Sequence, residues 1–208
     1  MAAALFVTGT VLFGGAPAAW AYSGQGAANY ADTYAINNNV AFVSYSDDCT
    51  NFVSQALWKG GGKAFRGTPT QYVTNNDNQW WTYAGYGLPY NSSRTVSWSV
   101  ANQLDDFLAH YDPNSGTNQF QPSASLGDYS PAGIVTGDPI FYDQHYASGH
   151  GWANIDHAAI QVGTGYDAYG QYGNLVDEHT NNRKRVIWNL NDVNSQWATT
   201  ATYEVHVG

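Results

Sequence analysis

Asp47-Asp48-Cys49-Thr50-Asn51-Phe52-Val53-Ser54-Gln55-Ala56-Leu57 is the stretch from which the rest of the chain is read. It holds the only cysteine in 208 residues. Phe52, Val53, Ala56 and Leu57 recur at the spacing of one buried helix face. Asp48 is placed to cap the start of that helix and Gly60-Gly61-Gly62 to stop it, so Cys49 falls in the first turn. Unpaired N–H groups and the positive end of the helix dipole favour thiolate over thiol there. A cysteine so placed is a candidate nucleophile, and the other groups a nucleophile needs have to be found elsewhere in the chain.

Upstream, residues 1–21 carry no charge and run from an apolar segment, Ala2 to Phe13, into Ala19-Trp20-Ala21. That pattern predicts a secretory signal with cleavage before Tyr22, although the usual basic start is missing. The apolar run is too short to span a membrane. Residues 22–208 then form a single expected domain, a length that suits one core. A secreted chain with one cysteine cannot form an internal disulfide, so its thiol is either incidental or reactive. Seven Lys and Arg against sixteen Asp and Glu give a formal charge of −9, which excludes the basic face that nucleic acid requires.

Downstream the pattern changes character. A modest helix is expected over 28–38, and a turn-rich surface excursion over the site at 63–95, whose aromatics Trp80, Trp81, Tyr83, Tyr86 and Tyr90 read equally as a cleft wall or as core and surface aromatics. A second convincing helix is expected over 96–110 and a loop over 112–131. Short β runs follow at 138–143, 157–162, 173–179, 185–188 and 202–207, separated by turn residues as in an antiparallel meander. Helices first and strands second predict an α+β domain, with the N-terminal helices packed on one face of a C-terminal antiparallel sheet.

A thiol nucleophile needs a base, and the base needs a partner that fixes its tautomer. Of six histidines, His157 opens the best strand, next to the loop 148–156, and His179 ends the following one. A hairpin would bring the two side by side, with Asp177 on the same face as His179 because strand side chains alternate. Tyr45, four residues before the cysteine, is a possible oxyanion donor, and packing accounts for it equally well. Asn51 and Gln55 read as packing and anchoring groups rather than catalysts.

Asp48-Cys49-Thr50-Asn51-Phe52-Val53-Ser54-Gln55, Gly137-Asp138-Pro139-Ile140, Asp156-His157-Ala158-Ala159-Ile160 and His179-Thr180 stand in an order that resembles an amidase-domain family within the papain-like NlpC/P60 and CHAP superfamily. The resemblance covers roughly residues 28–190. It implies a papain-like α+β fold and hydrolysis of an amide through a thioester, with no cofactor or metal. It implies Cys49 as nucleophile, His157 as general base and later acid, and His179 as the polar group orienting His157. Two departures stand out: Asn181-Asn182-Arg183 where an acidic residue before the Arg would be usual, and Asp156 directly before the base. Asp177 and Asn181 therefore stay open as alternatives for the third role.

The expectation is a secreted, monomeric cysteine amidase or peptidase, extracellular and in part cell-wall associated, acting on an amide in cell-wall peptide or another extracellular substrate. Two other classes compete. A zinc hydrolase would draw on Asp143, His145, His150, Asp156 and His157, but the later Glu-x-x-His it needs is absent because Glu178 adjoins His179. A catalytically inactive wall-binding module would use the eight Trp and sixteen Tyr for sugar stacking.

Overall fold

The computed structural model describes residues 21–83, 93–116, 119–121, 134–146 and 154–208. The expected signal segment, apart from Ala21, lies outside the described residues, as do Tyr86, Tyr90 and His150. The chain is α+β, as its patterning predicts. Helix α1 (Gly24–Tyr34) begins four residues earlier than expected, because Ser23 caps it by accepting from the Gly26 N–H (3.1 Å). Helix α2 (Cys49–Gln55) runs into a π-helical turn over Ala56–Gly60. All seven residues of α2 are buried.

The expected single helix over 96–110 is broken. α3 (Val96–Ser99) and α4 (Ala101–Asp106, continued as a π turn over Phe107–Tyr111) meet at Val100, whose backbone is extended at φ −125°, ψ 124°. Val100 is β-branched and exposed, so neither propensity nor burial holds it in the helix.

Six strands form one sheet in the order β1-β6-β2-β3-β4-β5, with every neighbouring pair antiparallel. They are β1 (Gln119–Gln121), β2 (Pro139–Asp143), β3 (His157–Tyr166), β4 (Tyr172–Glu178), β5 (Arg183–Ile187) and β6 (Ala201–Glu204). β1 falls in the segment expected to be loop, and three residues are too few to leave an alternation in the sequence. The other five strands match the expected runs to within a few residues at their starts.

Two close approaches fix α1. A Cβ on Gly26 would run into the Gly60 carbonyl, so α1 and the end of the α2 helix touch backbone to backbone. Gly137, at φ +99°, carries the chain into β2 against Gly24, and Tyr22 donates from its hydroxyl to the Gly137 carbonyl (2.6 Å). Asp138 then ties the last residues down, accepting from Val207 N (3.0 Å), Val135 N (2.8 Å) and His206 Nδ1 (2.9 Å).

The expected excursion over 63–95 runs along the surface over 64–79, as expected, but enters the core at Trp80 and Trp81. Trp80 and Trp81 are fully buried, and Trp80 donates from its indole to Ser54 on α2 (3.1 Å). Turn-rich local sequence hid this, because the segment is pinned by isolated bridges (Arg66 with Trp80, Thr82 with Arg94) rather than by a periodic element.

Candidate active site

Three elements converge on the cysteine: the start of α2, the start of β3 and the end of β4. Cys49 is 5% exposed. Its sulfur is hydrogen-bonded by the His157 ring and by the Ala158 N–H, and it lies 3.6 Å from the Thr50 hydroxyl. Burial pushes the thiol up, but the His157 hydrogen bond and charge, with the Thr50 and Ala158 contacts, outweigh it and hold the thiol below its ordinary value. His157 shifts the opposite way. Burial disfavours its charged form, yet the Cys49 sulfur and Glu178 carboxylate raise it to about 10. Both shifts favour a thiolate beside an imidazolium.

The residue that orients His157 is Glu178. Its Oε2 is hydrogen-bonded to His157 Nε2, which leaves Nδ1 for the sulfur. Glu178 is fully buried. Burial alone would raise it, but the His157 and Arg183 contacts hold it below the ordinary carboxylate range. Arg183 Nη1 donates to Oε1 (2.5 Å), and Nη2 is anchored on the Val193 carbonyl (2.8 Å). A carboxylate flanked by an imidazolium and a guanidinium is the kind of buried charge a protein tolerates.

His179, Asp177 and Asn181 do not meet His157, and the strand register gives the reason. Ile160 opposes Asp177 and Gln161 opposes Val176. Continued toward the strand ends, this register sets Ala158 opposite His179 and Ala159 opposite Glu178. Directly opposed residues share a face and neighbours alternate, so His157 and Glu178 lie on one face, and Asp177 and His179 on the other. The expectation that Asp177 and His179 share the face of His157 is thus off by one residue. Asp177 is buried, accepts from Arg185 N (2.7 Å) and is raised to about 7 by burial. Asn181 is exposed in the turn before β5.

His179 instead holds the cysteine's helix. Its Nδ1 lies in hydrogen-bond contact with Asp48 Oδ2 (2.8 Å) and its Nε2 with the Tyr34 carbonyl (2.7 Å), and its ring stacks on Phe52 at 4.0 Å. Both ring nitrogens are thus engaged away from His157. Asp48 stands at the cap position but makes no side-chain cap bond. Its Oδ1 accepts from Tyr45 N and Asn51 Nδ2, both at 2.9 Å, and its own N–H donates to Thr180 Oγ1 (3.1 Å). Tyr45 packs under the Arg94 guanidinium, 4.3 Å from the ring centre. Its hydroxyl is raised chiefly by burial, which keeps it protonated.

Sequence reasoning missed Glu178, which it used only to exclude a zinc motif. The available signal was Arg183 five residues on, a cation placed to partner a buried acid at the strand end. Of the residues of the zinc reading, His145 and Asp156 pair with each other (3.0 Å), and His150 lies outside the described residues. Among the described residues no group of three or more His, Cys, Asp or Glu is placed to hold a metal, and no helix is long and apolar enough to cross a membrane.

The α+β fold thus brings a cysteine, a histidine and a carboxylate into one series. The chain belongs to the family described as Putative amidase domain, whose model matches residues 21–203. It is similar to the uncharacterized protein YhbB of Bacillus subtilis (strain 168), with 28% identity over 176 residues. That match covers 84% of this chain and 46% of YhbB, so the chain spans about half the length of this relative. No solved structure matches.

Proposed function

We propose that the chain is a secreted cysteine amidase or peptidase of papain-like type, which hydrolyses an amide in cell-wall peptide through a thioester on Cys49. The observation that carries the proposal is the hydrogen-bonded series of Cys49, His157 and Glu178. In the resting pair the proton sits on His157 and the charge on sulfur. The sulfur attacks the amide carbonyl, and the developing oxyanion needs a donor, for which the protonated Tyr45 hydroxyl is a candidate. His157 Nδ1 then gives its proton to the leaving nitrogen as the C–N bond breaks, leaving a thioester and a neutral imidazole. Water attacks the thioester and passes a proton back to Nδ1. The acid departs, and sulfur recovers its charge beside the imidazolium. Glu178 keeps Nδ1 directed at the sulfur and stabilises the charged ring at each stage, as the carboxylate of a hydrolase triad does.

The wall substrate and secretion rest on the N-terminal pattern and on the family resemblance. The test is digestion of purified peptidoglycan with the purified chain, reading newly exposed amines by mass spectrometry. The expected result is release of amines by the unmodified chain and a loss of at least about a thousandfold in Cys49→Ser. Undiminished release by Cys49→Ser would sink the proposal.

A further inference from the structure

Asp156, which the catalytic series leaves unused, lines a groove between the lead into β3 and the junction of α3 and α4. The groove has a volume of about 430 Å³ and is lined by the two residues that directly precede His157 in the chain. One wall is Ile155 and Asp156, the residues that lead into His157; the other is Val100 with Asn102 and Gln103, where α3 gives way to α4. Asp156 is held in place by its N–H, which donates to the Tyr142 carbonyl (3.0 Å), and by His145 Nδ1 on its Oδ2 (3.0 Å).

The groove is electrostatically one-sided. The His145 ring bridges Asp156 Oδ2 on its Nδ1 (3.0 Å) and the Gln196 amide on its Nε2 (3.0 Å). Asp156 is the one Asp, Glu, Lys or Arg among the described residues that line the groove. None of the seven Lys and Arg of the chain lines the groove. Arg94, on the segment leading into α3, is engaged with the Tyr45 ring and donates to Ser99 (2.6 Å). The remaining polar lining includes the carboxamides of Asn102, Gln103 and Asn154, which are neutral. Such a lining accepts a peptide's amides without preference and distinguishes flanking groups by charge.

We infer that Asp156 makes this groove a subsite for a positively charged group, so that the substrate bears an amine close to the amide that is cleaved. A flanking carboxylate would meet Asp156 with no Lys or Arg in the groove to offset it. This rests on the amidase reading, because it supposes that substrate lies along the groove to reach Cys49.

The test uses the full chain and needs no knowledge of the natural substrate. Cys49 is modified with methyl, 2-aminoethyl and 2-sulfonatoethyl methanethiosulfonates, of neutral, positive and negative charge. In each case the thiolate attacks the sulfenyl sulfur, a mixed disulfide forms and methanesulfinate leaves. The rate for the aminoethyl reagent relative to the sulfonatoethyl one, referred to the same ratio on free cysteine, is expected to be raised about tenfold or more. Asp156→Asn is expected to lower that ratio several-fold and Asp156→Glu to keep it. Asp77→Asn, which removes an exposed charge elsewhere, is expected to leave it unchanged. A reactive thiol whose ratio is the same in Asp156→Asn overturns this inference and leaves the amidase reading standing. A thiol inert to all three reagents overturns the amidase reading, and this inference with it.

Discussion

At the scale of single residues, the site turns on adjacent acids and bases that play separate parts. Glu178 and His179 are neighbours in sequence, yet one orients the ring at the cysteine and the other fixes the helix that carries it. Replacing Glu178 by Gln keeps the shape of the side chain and removes the charge that favours the imidazolium. Less imidazolium means a weaker pull on the thiol, so thiolate forms at higher pH. Glu178→Gln is expected to slow iodoacetamide alkylation of Cys49 at pH 6 on the order of tenfold, with little change at pH 9.5. An equal rate at both pH values would remove Glu178 from the series. The cysteine and His157 could be picked out of the sequence because each opens an element with its own pattern. Glu178 could not, because which face of β4 meets His157 depends on the pairing register, and a shift of one residue exchanges the two faces.

At the scale of elements, the start of α2 is held from three directions. Asp48 receives His179 from the end of β4, Asp48 N–H reaches Thr180 in the turn that follows, and Asn51 ties the helix to its neighbours. Asn51 Nδ2 donates to the Val43 carbonyl and to Asp48 Oδ1, both at 2.9 Å, and its Oδ1 accepts from the Trp98 indole (2.7 Å). The sequence reading of Asn51 as an anchoring group agrees with these bonds. Asn51→Leu leaves a buried indole N–H and a buried carboxylate oxygen short of a partner. It is expected to cost about 2–4 kcal/mol of stability in urea unfolding. A change below about 0.5 kcal/mol would show that these bonds do not hold the helix. The helix pattern of 49–57 was legible from its apolar spacing. The break at Val100 and the burial of Trp80 and Trp81 were not, because tertiary contacts decide both.

At the scale of the whole molecule, Cys49, His157 and Glu178 are separated by long stretches of chain, and only the folded α+β arrangement brings them together. The charge distribution of the assembled site sets its pH behaviour. The thiol is held below its ordinary value and His157 is raised to about 10, so the thiolate–imidazolium pair forms at lower pH than the thiolate of a free cysteine and persists until the ring loses its proton. Hydrolysis, which needs that proton for the leaving nitrogen, is expected to fall as pH rises through about 10. Alkylation needs only the thiolate. The most direct test of the account is therefore the rate of Cys49 alkylation by iodoacetamide from pH 4 to pH 10, beside free cysteine. The account predicts a rate already near its plateau at pH 6 and at least about tenfold above free cysteine there. A rate that climbs with the ordinary thiol titration near about 8.5, no faster than free cysteine at pH 6, would contradict it.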